Sequence, residues 1–300
     1  MQLIDRSCVL CGPGARKTTK YPATFNAEHF NALIFSARRM PDRVHFQLVE
    51  CGDCGMIYSD PAAEPGSLAS LYRESLVNYG SQEAQIYESY RIVLDRALTR
   101  TSRRGTFLEI GGGTGFMLRY GAENGFGRQI EIEPSRDAET KFQPQSKNAE
   151  FKRGIFIRGT LPKESVSFAC FFQMLDHVPD PLEFVSAVYE SLEPGGVAVC
   201  VTHDTQAWSA KLLGEKSPIY DLEHTYLFNQ ENIAALFKRA GFGATKTFPV
   251  ANNYALKYWM NLVPFPRAIK SAAIAATSAI GLGDLRVKLY AGNLGIIAVK

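Results

Sequence analysis

The sequence predicts an α/β protein, a mostly parallel sheet covered by helices, with a small metal-nucleated unit at its N-terminal end. Three observations predict this. From Thr106 onward, strand-like and helical segments alternate, the order that builds parallel sheets. A glycine string, Gly111-Gly112-Gly113-Thr114-Gly115, closes the first of those strands and opens a helix. Two matching motifs, Cys8-Val9-Leu10-Cys11-Gly12 and Cys51-Gly52-Asp53-Cys54-Gly55, stand near the start.

Residues 1–66 read as the metal-nucleated unit. Two thiolates two residues apart can turn onto one ion, and the following Gly gives the open backbone of such a knuckle. Cys8, Cys11, Cys51 and Cys54 together make a closed tetrahedral Zn2+ site, structural because no coordination position stays open. The 39 residues between the pairs exceed a compact ribbon's spacing, so an insertion must loop out. Val44, Phe46 and Leu48 alternate with polar residues and run into the second pair as a hairpin strand. Pro61 to Gly66 reads as a linker.

Residues 67–104 read as a helical linker or lid. Ile86, Tyr87, Tyr90, Val93, Leu94, Ala97 and Leu98 recur at helical spacing, which predicts a helix over about 83–100. Residues 105–300 form the main domain. Strands are expected at 106–110, 129–132, 151–153, 167–174, 197–202, 246–250 and 293–299. Helices are expected at 116–123, 181–192 and 231–240, stopped by Asn124-Gly125, Pro194-Gly195-Gly196 and Gly241. Ser167 to Met174 is almost continuously apolar, as in a strand covered on both faces. Cys170 and Cys200 lie in such runs and read as small buried hydrophobes. Residues 252–292 are a helical insertion before the last strand.

Composition narrows the partners. Of 300 residues, 46% are hydrophobic and 21% charged, enough for a sizeable core. The net charge of +3, with no long Lys/Arg run, offers no dedicated nucleic-acid surface, so no nucleic acid is expected. The start has no basic stretch followed by an apolar one, and thiolate metal ligands suit a reducing compartment, so a cytoplasmic location is expected. Basic residues gather in 252–292, where the Ala-rich run 268–282 is shorter than the ~20 residues of a membrane span. That segment reads as packed helices, a cover for an acceptor site, or a peripheral membrane contact.

The glycine string belongs to Glu109-Ile110-Gly111-Gly112-Gly113-Thr114-Gly115. Phe116 stands where a dinucleotide fingerprint needs its third Gly, and the Gly-Lys-Ser/Thr of a phosphate loop is absent. Glu109 would repel a pyrophosphate but suits a cationic amino group. Glu133, ending the second strand, can accept both hydroxyls of a ribose. A ribose, an ammonium and no pyrophosphate describe S-adenosylmethionine.

Residues 105–250 resemble a class I S-adenosylmethionine-dependent methyltransferase. The resemblance is carried by the glycine motif, Glu133-Pro134-Ser135, Leu175-Asp176-His177-Val178-Pro179-Asp180-Pro181 and Leu192-Glu193-Pro194-Gly195-Gly196. It implies a Rossmann-like fold with a mostly parallel seven-stranded sheet. It places Gly111, Gly113 and Gly115 around the methionine part and Glu133 on the ribose. Ile155 and Phe156 stand where adenine contacts are expected. With the cysteine unit, the chain resembles bacterial enzymes that methylate sugars and glycans. In related sugar C-methyltransferases a Glu-His pair lies at the substrate and its His looks like the base. Glu223-His224 matches that pair.

Those enzymes usually carry a further C-terminal domain, for which no room follows here before Lys300, so a hydroxyl acceptor is expected. His224 is the expected base, oriented by Glu223 or another carboxylate, with His177 at the rim where cofactor and acceptor meet. His203-Asp204 is also placed at the rim, and Tyr79 of Asn78-Tyr79-Gly80 on the lid side. The acceptor is expected to be a sugar, a glycan or glycolipid intermediate, or a related hydroxylated small molecule. The other readings are a sugar C-methyltransferase, a zinc-containing RNA methyltransferase, and a binding module that keeps the cofactor fold.

Overall fold

The computed structural model describes residues 2–25, 44–79, 82–263 and 265–300. Gly80 and part of the expected insertion after Cys11 fall outside them. The main sheet has seven strands: β6 (Thr106–Ile110), β7 (Arg128–Glu133), β8 (Ala149–Arg153), β9 (Val166–Phe172), β10 (Leu192–His203), β12 (Ala244–Ala255) and β13 (Arg286–Val299). Their order is β12-β13-β10-β9-β6-β7-β8. The ladders from β8 to β10 are parallel, and β13 runs antiparallel to both β10 and β12.

β9 sits at the centre because every one of its side chains is buried and β-branched, aromatic or small. Its residues alternate between two cores: Phe168 and Cys170 pack with α2 (Glu83–Leu98), whereas Ala169 and Phe171 face α5 (Pro181–Ser191) and α7 (Gln230–Arg239). The helices start where the sequence caps them. Asp180 accepts from the Glu183 amide at 3.0 Å with Pro181 in the first turn, and Asn229 forms a capping box with Asn232.

The N-terminal unit is knitted into this body. β2 (Lys17–Tyr21), β3 (Leu48–Cys51) and β4 (Ile57–Ser59) form a sheet whose far edge is β11 (Tyr226–Leu227), from the main domain. Tyr226 pairs with Tyr58 and Leu227 with Ile57. Cys8, Cys51, Met56 and Tyr58 share one apolar core with Leu108, Phe171 and Phe237. The Pro61–Gly66 stretch is not a free linker. Ala62–Ala63 is a buried strand, β5, paired with β1 (Leu3–Ile4), and α1 (Pro65–Glu74) follows at once. Pro65 marks the first turn of that helix rather than a break. Val44 and Phe46 are buried as expected, but the strand begins only at Leu48.

The four thiols meet. One sulfur from each of Cys8, Cys11, Cys51 and Cys54 lies within 4.8 Å of the others. Both knuckles close by backbone bonds, Gly12 N to Cys8 O at 2.8 Å and Gly55 N to Cys51 O at 2.9 Å, with positive φ at both glycines. Sulfurs on a tetrahedral zinc stand roughly 3.8 Å apart, given a Zn–S bond of ~2.3 Å, so the donor set fits that ion. Metal analysis of purified protein should return about one zinc held by these four thiols. Cys51→Ser should release it and lower the thermal midpoint. Four freely reactive thiols in native protein would contradict the site.

Candidate active site

Beyond the C-terminal ends of β6, β7, β9 and β10 lies a cavity of about 1080 Å³. Ligands of parallel α/β sheets sit in this place. Glu109, Gly111, Gly113, Glu133, Ile155 and Phe156 line it, and so do His177, Glu223 and His224. The residues expected to hold a cofactor and those expected to face an acceptor therefore share one space. At about 1080 Å³ it exceeds the ~300–1,000 Å³ of ordinary ligand pockets and has room for two molecules.

The glycine loop is held from beneath by acids. The Gly112 amide donates to Glu131 Oε1 at 2.8 Å, and the Gly113 amide to Glu133 Oε2 at 3.2 Å. Glu133 Oε1 accepts from the Ser135 amide at 2.9 Å. Gly113 has φ +65°, and a Cβ there would stand 2.4 Å from Tyr79 Oη. Tyr79 lies across the loop, its hydroxyl donating to Gly112 O at 3.1 Å and its ring against Phe116. Gly115 departs from expectation because it does not line the cavity. Its φ is +70°, and a Cβ would meet Glu131 Cβ and the Phe142 ring, each at 3.3 Å, so this glycine serves the packing of the loop on β7.

Glu109 is 1% exposed, and its Oε2 has no hydrogen-bond partner among the described residues. Burial pushes its carboxyl up to about 8, although a hydrogen bond with Glu131 works the other way. Burial likewise raises Glu131, which lies on β7 beside Glu109, and raises Glu133. An orphaned, desolvated carboxylate oxygen facing a cavity fits a cationic ligand. Nothing in the sequence alone marks Glu131, which alternates with Ile130 and Ile132 along β7.

The second cluster joins the ends of β9, β10 and β11. A 3₁₀ turn, Leu175–His177, follows β9, and Asp176 in it is fully buried. His203, ending β10, places Nδ1 2.5 Å from Asp176 Oδ2. His224 precedes β11, with its ring 4.4 Å from that of His203 and 5.0 Å from that of His177. Burial alone would raise the Asp176 carboxyl, but His203, His177 and His224 hold it far below the usual carboxylate range. Glu223 reaches both rings only at 3.9 Å, too far for a hydrogen bond. The orienting group for His224 is the Ile219 carbonyl, 2.9 Å from Nδ1. The expected carboxylate in that role serves His203 instead, and it is Asp176. Asp204 stands apart, accepting from the Gln206 amide at 2.8 Å.

Residues 82–247 match a family model described as a methyltransferase domain. The chain belongs to that family. The enzyme is an S-adenosylmethionine-dependent methyltransferase, and the cationic ligand that suits Glu109 is what such an enzyme must hold. A protein of Mycolicibacterium smegmatis named "probable S-adenosylmethionine-dependent methyltransferase" is 26% identical over 200 residues, 66% of this chain and 74% of that one. A solved S-adenosylmethionine-dependent methyltransferase from Archaeoglobus fulgidus shares the fold, at a TM-score of 0.50 and 15% identity over 71% of this chain and 94% of that chain.

The raised acids set a pH dependence for the methyltransferase without ligand. An unfolded Glu titrates near 4.3, whereas folded Glu109 keeps its proton up to about 8. Between these values the folded state binds more protons, so stability falls as pH rises through that window. Thermal midpoints should decline from about pH 5 to 8, and Glu131→Gln should flatten the decline by removing one acid of the pair. A midpoint that rises across this range in the unliganded protein would contradict the assignment.

Proposed function

We propose that this methyltransferase acts on a hydroxyl of a sugar, of a glycan or glycolipid intermediate, or of a related small molecule, and that His224 takes the hydroxyl proton. The observation that carries the reading is the His224 ring. A carbonyl can only accept, so Nδ1 carries the hydrogen toward Ile219 O, and the Nε2 lone pair is left on a ring that lines the cavity. S-adenosylmethionine supplies the electrophilic methyl group when bound. The task of the chain is to align the acceptor oxygen and accept its proton.

In this reading Glu109 faces the cofactor's ammonium, with Gly111 and Gly113 around its methionine part. Glu133 has lone pairs beyond the two that hold backbone amides, enough to accept ribose hydroxyls. Ile155 and Phe156 flank the adenine. His177 and Glu223 line the acceptor side, where polar groups converge as a polyhydroxylated ligand requires. A sugar carbon acceptor would use the same base. An RNA acceptor is disfavoured by the net charge of +3.

One separate observation favours a second reading. Asp176, His177 and His224 offer ligand atoms within 4.8 Å of one another, and Asp176 Oδ1 is buried without a hydrogen bond. Such a set can hold a divalent cation, which would acidify the hydroxyl in place of a base. Metal content separates the two: one ion per chain for the base, two for the cation.

Labelled S-adenosylmethionine offered to nucleotide sugars, a glycan extract and total RNA should mark the first two pools and not the third. With the acceptor in hand, His224→Ala should cut turnover by roughly 10²–10⁴-fold and leave S-adenosylhomocysteine affinity unchanged. Glu223→Gln should cost less. Full turnover in His224→Ala, with a large loss in His177→Ala, would move the base to the 3₁₀ turn.

A further inference from the structure

β12 and β13 outrun the rest of the sheet. β10 reaches only to His203, opposite Asn293, whereas β12 and β13 stay paired out to Ala255 and Arg286. This ribbon carries α8 (Leu256–Leu262) and α9 (Arg267–Ala279) at its tip. Neither helix has a buried residue among those described, whereas α2, α5 and α7 each bury several. The hairpin therefore adds nothing to the core.

Its exposed side is apolar. Ile269, Ala272, Ala276, Ala279 and Ile280 recur at helical spacing and are all exposed, with Ile269 at 56% and Ile280 at 69%. A surface helix normally turns its polar face outward, whereas α9 exposes these apolar side chains, with Ser271 and Ser278 beside them, and turns Lys270 and Thr277 further inward. Phe265, Leu282 and Leu285 extend the apolar surface, so six of the thirteen exposed large hydrophobics among the described residues lie in 265–290, the sixth being Tyr290. Basic groups accompany them: Lys257, Arg286 and Lys288 are exposed, and Asp284 is the only acid in 252–292. Along β13, Arg286, Lys288 and Tyr290 share the exposed face, and the Trp208 indole donates to Tyr290 O at 2.9 Å. No helix among the described residues is long and apolar enough to cross a membrane.

We propose that the α8–α9 hairpin docks on an anionic lipid bilayer surface, with the apolar face of α9 in the headgroup–acyl boundary and the basic residues on the phosphates. Apolar side chains beside Lys and Arg, with Trp and Tyr nearby, are the composition of an interfacial helix. The occupant is a bilayer rather than a protein because the exposed face is built of small and aliphatic residues, and the charges beside it are basic apart from Asp284, which pairs with Lys257 at 2.6 Å. The hairpin also walls the cavity through Tyr254, Tyr258, Trp259, Leu262 and Leu289. The docked face is thus continuous with the acceptor site, which selects an acceptor held at the membrane, a sugar on a lipid. That last step rests on the acceptor reading above, whereas bilayer docking does not.

Vesicle flotation tests it with the full chain. Vesicles of phosphatidylcholine with phosphatidylglycerol should carry the protein, and phosphatidylcholine alone should carry it at least about tenfold less well. Binding should fall with added salt. Ile269→Glu with Ile280→Glu should weaken binding at least about tenfold, while S-adenosylhomocysteine affinity stays unchanged and reports an intact fold. Both changes are exposed, one on α9 and one at its C-cap, and lie outside the core, so loss of folding is not expected; Arg286→Glu with Lys288→Glu gives an independent arm with the same expected loss. No binding to anionic vesicles, or undiminished binding in both double variants, overturns the proposal. A wild-type dimer that the Ile269→Glu, Ile280→Glu variant turns into a monomer also overturns it, because a second copy would then cover the face.

Discussion

The two-residue pairing of β11 with β4 is the constraint on which the acceptor side depends. Backbone bonds make a continuous line through it. The Cys51 amide donates to Met56 O across the second knuckle, the Ser59 amide to Thr225 O, and the Thr225 amide to Asp176 O at 2.8 Å. The first knuckle is held on the same body, with Tyr226 Oη donating to Ser7 O and the Arg239 guanidinium to Leu10 O. A cysteine cluster outside the cavity is thereby connected to the segment that aims His224. Two hydrogen-bonded residue pairs are weak alone, but here all four residues are buried, Tyr226 and Tyr58 in the core shared with the main sheet and Leu227 and Ile57 in a second one, which keeps water from them.

The cofactor side rests on a different balance. Three glutamates, 109, 131 and 133, are gathered under the glycine loop, and burial raises all three. Two of them spend carboxylate oxygens on loop amides, which fixes the turn. Glu109 and Glu131 each keep an oxygen without a partner among the described residues, and of these two Glu109 is the one that lines the cavity. The Glu109 oxygen costs stability in the unliganded protein and favours a ligand that brings positive charge. Binding strength and folding stability are thus set against each other at Glu109, as is common where titratable groups are strained by burial.

Much of this was legible in the sequence, for identifiable reasons. β9 declared itself because a central parallel strand must be apolar on both faces, and the glycine string because positive φ and close approach exclude side chains. The cysteine pairs were legible because the ligand spacing is short and local. What stayed hidden depends on contacts distant in sequence. No local pattern shows Tyr226–Leu227 as the edge of an N-terminal sheet, or Asp176 as the partner of His203, 27 residues on. Gly115 looked like its neighbours because sequence does not say which side of a turn faces a ligand. The extent of β12 and β13 was underestimated because their outer halves pair only with each other and lack the apolar run of a covered strand.

The claim that the cysteine cluster sets the acceptor side through β11 is tested most directly by hydrogen exchange. The Ser59 and Thr225 amides would be followed in metal-loaded and chelator-stripped protein, with the Gly111 amide, bonded to Ile132 O at 2.9 Å, as the internal reference. The account predicts that stripping the metal speeds exchange at Ser59 and Thr225 and leaves Gly111 protected. Equal protection of Ser59 and Thr225 in both forms, with the cysteine knuckles open in the stripped one, would contradict it.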